Sequence, residues 1–295
     1  MAATRNRTSA SLAGRVGAFL TDRCKPGARL AVGLSGGCDS VVLLHIVTHL
    51  AGRGPLRAIH VHHGLSANAD AWSAFCAEFC AGLGVDLDVS RVVVDRSGGE
   101  GIEAAARVAR YQAFADLDVD GLLLGHHRGD QAETLLFNLL RGTGVVGAAA
   151  IPVERRQGGL PILRPLLDAS REEIEAYARA HRLRWIDDES NADTALSRNF
   201  LRHEIFPLLA ERFPGVERNL AQAALYFGEA AELLDQLGAT DWQAVADGEA
   251  LPLAALREMA PARLRNLLRW RLRLLGWRAP PGVRLEEFSR QLQHA

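Results

Sequence analysis

The chain alternates short apolar runs with longer helix-like segments, and this alternation restricts the fold more than any other feature. Strand-like runs lie at residues 29–33, 56–61, 87–94 and from 122 onward, and helix-like segments follow them at 40–51, 68–83, 102–117 and 130–141. Parallel strands need crossover connections of about this length. The order therefore predicts an α/β fold with a doubly wound, mainly parallel sheet covered by helices on both faces.

The second half of the chain reads as helical. Helices are predicted at residues 170–181, 198–213 and 216–237, followed by a linker at 238–247 and a small helical segment. We predict an N-terminal helical extension (1–28), an α/β domain (29–215) and a helical linker with a small α-helical C-terminal region (216–295). Residues 251–295 contain nine arginines and three glutamates, a local charge of +6, while the rest carries −7. The net charge of −1 does not by itself indicate a nucleic-acid partner, and a basic amphipathic helix is usually a soluble one, but the local excess of arginine is uneven enough to note.

The composition of the chain indicates in which cellular compartment the protein is found. No run of 18 apolar residues is present, so no membrane partner is expected. Residues 1–13 lack the basic and apolar regions of a signal peptide. Four cysteines in 295 residues are too few for a disulfide framework. A reduced cytoplasmic protein is the prediction.

The most informative motif directly follows the first strand and opens a helix. It comprises Ser35, Gly36, Gly37, Cys38, Asp39 and Ser40. Glycines let the backbone approach a ligand, and a helix start offers unpaired N–H groups to an anion. An acid in such a place needs a divalent cation or a ligand's own donors beside it. The pattern is neither a Walker loop nor GxGxxG, and a plain Gly-rich turn is the structural alternative.

Two further clusters follow the second and fourth strands. VHHGL contains His62 and His63, and GHHRGDQAET contains His126, His127, Asp130 and Glu133. Neighbouring strand residues point to opposite faces, so one histidine of each pair is expected in a shared site, which disfavours a zinc site. The two acids lie on one side of a first helical turn. They fit N-terminal capping, a Mg²⁺ or nucleotide contact, or both.

These motifs carry a family resemblance. SGGCDS is similar to the SGGxDS signature of the PP-loop, or N-type, ATP pyrophosphatases, whose fold is that of the adenine nucleotide alpha hydrolases. VHHGL and GHHxxDQxET resemble the tRNA(Ile)-lysidine synthetases. So do ExxARxxRY at 103–111, RPLL at 164–167 and DxSN…RNxxR at 188–202. The resemblance covers roughly residues 29–207. In one departure, Gly129 stands where the family commonly has a second acid.

The resemblance implies a reaction and its participants. ATP activates the C2 oxygen of the wobble cytidine in a CAU anticodon and releases pyrophosphate; free L-lysine then attacks C2 and releases AMP. The implied cofactors are ATP and Mg²⁺, and the implied partner is tRNA(Ile). Given an RNA substrate, the leucine-rich helix bearing Arg265, Arg269 and Arg273 is expected to contact phosphates.

The resemblance also implies roles for residues. The SGGCDS loop, His62 and His126 are expected to bind ATP, and Asp39 and Asp130 to hold Mg²⁺. Expected catalytic residues are Asp39, Asp130, Arg107 and His127, with His127 or His126 taking a proton from the lysine amine. The expected substrate-binding residues are Arg107, Arg110, Glu133, Asn191, Arg198, Asn199 and Arg202. For Arg107 and Arg110 a solvated helix face is the alternative.

Two other functions stay open at this stage. A tRNA-thiolating enzyme would use the same ATP chemistry, but would need paired cysteines, and only Cys76 and Cys80 lie near each other. A non-catalytic nucleotide-binding module would be expected to lack Asp39 or the pair Asp130 and Glu133, all of which are present. The sequence does not fix the oligomeric state, and a homodimer is one option.

Overall fold

One six-stranded sheet organises the larger part of the molecule. The structure is a computed structural model that describes residues 11–94, 102–189, 193–195, 197–277 and 279–294. The strands are β1 (Leu30–Gly33), β2 (Leu56–His62), β3 (Asp86–Arg91), β4 (Gly121–Leu123), β5 (Glu154–Gln157) and β6 (Leu160–Leu163). Their order is β3-β2-β1-β4-β6-β5. All neighbours are parallel except β5 and β6, which form an antiparallel hairpin at one edge.

Helices cover this sheet on both faces. The described helices of the whole chain are α1 (Leu12–Arg23), α2 (Cys38–Thr48), α3 (Ala69–Leu83), α4 (Ile102–Ala115), α5 (Arg128–Leu140), α6 (Val145–Ala148), α7 (Arg171–Ala180), α8 (Ser197–Phe200), α9 (Phe206–Arg212), α10 (Val216–Val245), α11 (Leu253–Glu258), α12 (Pro261–Leu274) and α13 (Gly282–His294). One core packs α1, α2 and α7 on the sheet, including Val16, Val41 and Ile174. A second, with Tyr111 and Phe114 of α4, lies against Ile59 and Leu122. The predicted doubly wound α/β class is confirmed.

Two predicted elements differ from the structure. The prediction of a linker at 238–247 is wrong, because α10 continues to Val245. A Cβ on Gly238 would lie 2.6 Å from Cγ of Trp270, so this glycine permits close helix packing and does not end the helix. The helix predicted at 198–213 is interrupted by a π-helical turn, Leu201–Ile205. The β5–β6 hairpin was not predicted, since its strands are only four residues long.

The chain divides into two compact units, Met1–Gly142 with Ala150–Ala224, and Thr143–Ala149 with Leu225–Ala295. In the second unit Leu256, Leu264 and Leu267 form the buried core. Part of its positive charge is internally paired, because Arg263 contacts Asp241 and Arg273 contacts Asp235. Among the described helices, none combines the length and apolar character that a membrane crossing requires.

Candidate active site

The SGGCDS loop joins the central strand β1 to α2. Helix α2 begins at Cys38, and its N-cap Gly37 supplies no side-chain cap, so the first N–H groups of the helix are left for a ligand. Gly36 has φ of 90°, a left-handed conformation that favours glycine. The Gly36 carbonyl accepts a hydrogen bond of 2.9 Å from the Ile186 N–H. The loop is therefore a preformed anion-binding turn, held in place by a distant segment.

The two serine hydroxyls of the loop stabilise its shape. Ser40 Oγ donates to the Gly37 carbonyl at 2.9 Å and lies 3.1 Å from Ser35 Oγ. The Ser35 and Gly37 N–H groups donate to the Ser40 and Ser35 hydroxyl oxygens, respectively. Either hydroxyl can reach a ligand only by exchanging one of these bonds.

Replacing Gly36 by alanine is expected to damage the loop in two ways. The positive φ costs about 1–2 kcal/mol with a Cβ present, and that Cβ would lie 2.6 Å from Cδ1 of Ile186. Gly52→Ala is a matched control, because Gly52 has φ of 71° and open space around it. Urea unfolding should show a larger loss for Gly36→Ala than for the control, and ATP titration should show weaker binding only for Gly36→Ala. Equal losses of stability would contradict the proposed contact with Ile186.

A cavity of about 520 Å³ opens beside the loop, within the size range of small-ligand sites. Its lining includes loop residues 35 and 37–40, the strand-end residues His60, Val61, His63, Gly125, His126 and His127, the acids Asp130, Asp187 and Asp188, and the arginines Arg110, Arg171 and Arg202. Ile59, Phe114, Leu124 and Trp72 add apolar and aromatic surface. The cavity thus joins an anion-binding turn, several charges of both signs and an apolar wall.

Asp39 is the acid nearest the loop. Nη1 of Arg171 lies 3.3 and 3.4 Å from its two carboxylate oxygens, and Nε2 of His127 lies 4.0 Å from Oδ2. Burial raises the pKa of Asp39, and Asp130 adds to that effect, while His127 and Arg171 oppose it. The ionised carboxylate is thus under-stabilised in the free protein and suited to receive a cation.

Asp130 and Glu133 share one guanidinium. Arg202 binds Glu133 through two bonds of 2.7 and 2.8 Å and reaches Asp130 Oδ1 at 3.3 Å. Burial raises the pKa of Glu133 against the opposing effect of Arg202. Burial alone would raise the pKa of Asp130, but His127, His126 and Arg202 hold that pKa below the ordinary value. Asp130 also accepts the His127 N–H at 2.9 Å, so it caps α5 and faces the cavity at the same time.

The hydrogen bonds of His127 define its tautomer. Its Nδ1 accepts the Gly129 N–H at 3.0 Å, so the neutral ring carries its proton on Nε2 and presents a donor toward Asp39 and Asp130. This arrangement is unsuited to the predicted acceptance of a proton. Nδ1 of His126 is buried without a hydrogen-bond partner in the described structure. Burial lowers the pKa of His126 to about 4, so that ring is neutral near pH 7.

Several predicted site residues lie elsewhere. His62 does not line the cavity, and its Nε2 instead contacts Asp70 at 3.1 Å. Asn199 donates to the Asp193 carbonyl, and Arg198 lies over Phe137. Three other predicted residues are not in the lining: Gly36 turns the loop, Glu133 lies behind Arg202, and Arg107 packs on Tyr111. Asn191 lies outside the described residues.

The expectation of one histidine from each pair holds for the first pair only. His63 lines the cavity and His62 does not, whereas both His126 and His127 do. Strand alternation does not apply to the second pair, because β4 ends at Leu123. The structure offers little room for a side chain at Gly129. A Cβ there would lie 2.8 Å from Cε1 of His127 and 3.8 Å from Oε2 of Glu217, which is held by Arg128.

The sequence reasoning missed Arg171, His60 and Trp72. The motif around Arg171 predicts only a capping box, which does form through Ser170 and Glu173. His60 precedes the recognised pair by two residues, and its Nδ1 lies 2.9 Å from the Leu34 carbonyl. His60 lies near the carboxyl end of β2, the edge at which parallel sheets bind ligands, and this position is the signal that could have drawn attention to it.

The site fits Mg²⁺ only as an ion shared with a ligand. Among the described residues, no group of three or more His, Cys, Asp and Glu side chains is arranged to hold a metal alone. Mg²⁺ commonly binds through one or two carboxylates and the phosphates of its substrate. Asp39 fits this use, since its contacts with described side chains are long, 3.3 and 3.4 Å to Arg171 and 4.0 Å to His127. Asp130 would first have to exchange Arg202.

An uncapped helix start after a central parallel strand is suited to binding phosphates. Comparison with protein families agrees with this, because the family model of the PP-loop domain matches residues 9–209. The chain belongs to this family, whose members use ATP. A second family model, that of the TilS substrate binding domain, matches residues 251–295.

The comparisons with individual proteins narrow the class. The chain is 45% identical over 280 residues to a tRNA(Ile)-lysidine synthase of Nitrosomonas europaea, covering 93% of this chain and 61% of the relative. It is 49% identical over 271 residues to that of Aromatoleum aromaticum, covering 91% and 63%. The predicted resemblance to tRNA(Ile)-lysidine synthetases is confirmed, and the chain spans about three-fifths of the length of these relatives.

A solved structure supports the fold. The U34-tRNA thiolase NcsA of Methanococcus maripaludis, determined with its [4Fe-4S] cluster, superposes with a TM-score of 0.61 at 19% identity, covering 74% of this chain and 78% of that one. At this identity the likeness concerns architecture alone.

Proposed function

We propose that this chain ligates free L-lysine to C2 of the wobble cytidine in CAU-anticodon tRNA(Ile), using ATP and releasing pyrophosphate and AMP. The observation that carries the proposal is one cavity that unites the uncapped SGGCDS loop with the charged groups of the lysidine-synthetase motifs. The relatives named above carry this activity in their names. The cytoplasmic location stays a prediction.

The loop is proposed to hold the phosphates of ATP. The N–H groups at the start of α2 would bind phosphate oxygens as the bond between the α- and β-phosphates breaks, which stabilises charge developing on pyrophosphate. Each preorganised donor of this type contributes about 3–4 kcal/mol in comparable sites. Asp39 would hold Mg²⁺, with Asp130 as a second ligand, and the bound ion would neutralise further phosphate charge.

The group of Arg202, Glu133 and Asp130 is suited to an α-amino acid. Free lysine has one carboxylate and two ammonium groups, and this group offers one guanidinium and two carboxylates. Arg202 would bind the carboxylate, Asp130 would bind an ammonium group from the cavity wall, and Glu133, outside the lining, would hold Arg202 in place. His126 keeps a buried Nδ1 without a hydrogen-bond partner in the described structure, but burial lowers its pKa and makes it a weak base, so it is suited to a neutral hydrogen bond with the substrate and not to taking the amine proton.

The thiolation alternative is disfavoured by the cysteines. Cys76 and Cys80 are both buried, and burial raises their pKa values to about 12 and about 11. Sulfur transfer requires a reactive, accessible thiolate. Burial also raises the pKa of Cys38 to about 11, which fits a spacer within the loop.

The direct test incubates the protein with ATP, Mg²⁺, labelled lysine and unmodified CAU-anticodon tRNA(Ile). Label incorporated into the RNA supports the proposal. Pyrophosphate release without incorporation would retain the adenylation step and reject lysine as the nucleophile. Absence of both with a folded protein would contradict the proposal.

Arg171 is expected to contribute to ATP binding. Its Nε is anchored to Glu175 at 2.8 Å, and its Nη1 reaches Asp39 in the cavity. Once a cation binds Asp39, this terminal nitrogen is placed to bind a phosphate. Arg171→Met should raise the KM for ATP about tenfold or more, as the loss of one charge-assisted bond predicts.

Arg179→Met is the matched control, because Arg179 lies on the same helix and binds the same glutamate without lining the cavity. Its KM for ATP should be unchanged. The same increase in both variants would mean that the helix, and not a phosphate contact, is responsible.

A further inference from the structure

Three arginines gather around Tyr111. The guanidinium carbon of Arg107 lies 4.9 Å from the ring centroid, and its Nη2 donates to the Tyr111 hydroxyl at 3.2 Å. The guanidinium carbon of Arg155 lies 5.4 Å from the same centroid. Arg164 also interacts with Tyr111, and its Nη1 donates to the Pro152 carbonyl. We call Arg107, Arg155, Arg164 and Tyr111 the Tyr111 arginine cluster.

The charge of this cluster is unbalanced. No ion pair among the described side chains involves any of its three arginines, whereas Arg171 and Arg202 in the cavity both have carboxylate partners. Arg164 is only 1% exposed, and its Nε is buried without a hydrogen-bond partner in the described structure. A buried cation is costly unless an anion compensates it. The arrangement is therefore suited to binding an anion.

The cluster borders the active-site cavity and is open to large ligands. Tyr111 lines the cavity, as does Arg110 one residue before it. Arg107, on α4, and Arg155, on the edge strand β5, are both exposed. Guanidinium groups beside an aromatic ring are common in nucleic-acid sites, where they bind phosphates and stack with bases.

We propose that the Tyr111 arginine cluster binds a phosphodiester of the RNA strand next to the nucleoside that enters the cavity. The inference rests on the proposed function, because it assumes an RNA substrate. The phosphates of ATP are a less suitable occupant, since the start of α2 already offers them N–H groups and the cluster is built on different elements, α4 and the β5–β6 hairpin.

The edge strand supplies a matched pair of variants. Arg155 pairs with Ile162 and Arg156 with Pro161, and adjacent strand residues point to opposite faces. Both arginines are exposed, but Arg156 donates to the Gly159 carbonyl at 3.3 Å and no contact joins it to Tyr111 in the described structure. Arg155→Gln and Arg156→Gln therefore remove equal charge from the two sides of one strand.

The experiment measures the Kd of the full chain for an unmodified CAU anticodon stem-loop RNA over a range of salt concentrations. Arg155→Gln is expected to weaken binding about 5–10-fold and to reduce the slope of log affinity against log salt by about 0.7, the value expected when one phosphate of a single strand is no longer neutralised. Arg156→Gln should stay within about twofold of the parent chain. ATP affinity should be unchanged in both.

Three results would overturn the proposal: equal weakening by the two variants, weakening by Arg155→Gln with an unchanged salt slope, or no RNA binding by the parent chain. A loss of ATP affinity in Arg155→Gln would mean that the cluster binds the phosphates of ATP and not those of RNA. The outcomes that reject the proposed function differ from those that reject the cluster proposal. If the parent chain incorporates lysine but the two variants bind RNA equally well, only the cluster proposal is rejected. If RNA binding depends on Arg155 but the parent chain incorporates no lysine, only the proposed function is rejected.

Discussion

Asp39→Asn is expected to abolish lysine incorporation, with a loss of at least about 1,000-fold, while the protein stays folded. The change keeps the size of the side chain but removes the charge that is proposed to hold Mg²⁺ beside the phosphates. Asparagine retains only one carbonyl oxygen, a weak ligand for this cation. Pyrophosphate release dependent on tRNA should fall together with incorporation, because Asp39 is assigned to the adenylation step.

The stability of the Asp39→Asn variant, unlike its activity, should be unchanged or increased. Burial raises the pKa of Asp39 above its value in the unfolded chain. The folded state therefore binds its proton more tightly, and stability falls as the pH rises from the unfolded pKa through the folded one. At neutral pH the ionised carboxylate destabilises the free protein, so Asp39→Asn should unfold at an equal or higher temperature. Full activity in this variant, or a loss of activity explained by unfolding, would contradict the role of Asp39.

The sequence predicted those parts of the site that depend on backbone order. Strand and helix alternation determined that the SGGCDS loop and the GHHRGDQAET segment would follow β1 and β4, and these strands are neighbours in the sheet. Asp39, Asp130 and His127 consequently line one cavity. The regular geometry of parallel sheets allows such inferences without side-chain coordinates.

Other parts depend on contacts that spacing does not encode. Arg171 reaches Asp39 across 132 residues of chain, and a capping-box motif gives no sign of this. Arg202 faces the cavity while Arg198 and Asn199 do not, because the chain passes through the π-helical turn Leu201–Ile205. Such turns change the side-chain register of a helix and often occur at functional sites.

Arg202→Met is expected to damage both stability and activity. It leaves Glu133, only 8% exposed, with no guanidinium beside it, and it removes the proposed partner of the lysine carboxylate. Breaking a buried ion pair commonly costs about 3–5 kcal/mol, and because Arg202 is 38% exposed we expect about 2–3 kcal/mol here. Lysine incorporation should fall about 10–100-fold, the loss expected when one charge-assisted hydrogen bond to the substrate carboxylate is removed.

A double-mutant cycle separates the two effects. In Arg202→Met with Glu133→Gln, the unpaired charge is gone, so urea unfolding should recover most of the stability while lysine incorporation stays low. The penalty of the single variant should also grow with pH: the pKa of Glu133, already raised by burial, rises further without Arg202, and ionising it then costs more. Arg198→Met is the matched control, because Arg198 lies one turn earlier, over Phe137, and does not line the cavity. If the double variant regained activity with stability, or if activity fell as far in Arg198→Met as in Arg202→Met, Arg202 would be a structural residue and the amino-acid site would have to lie elsewhere in the cavity.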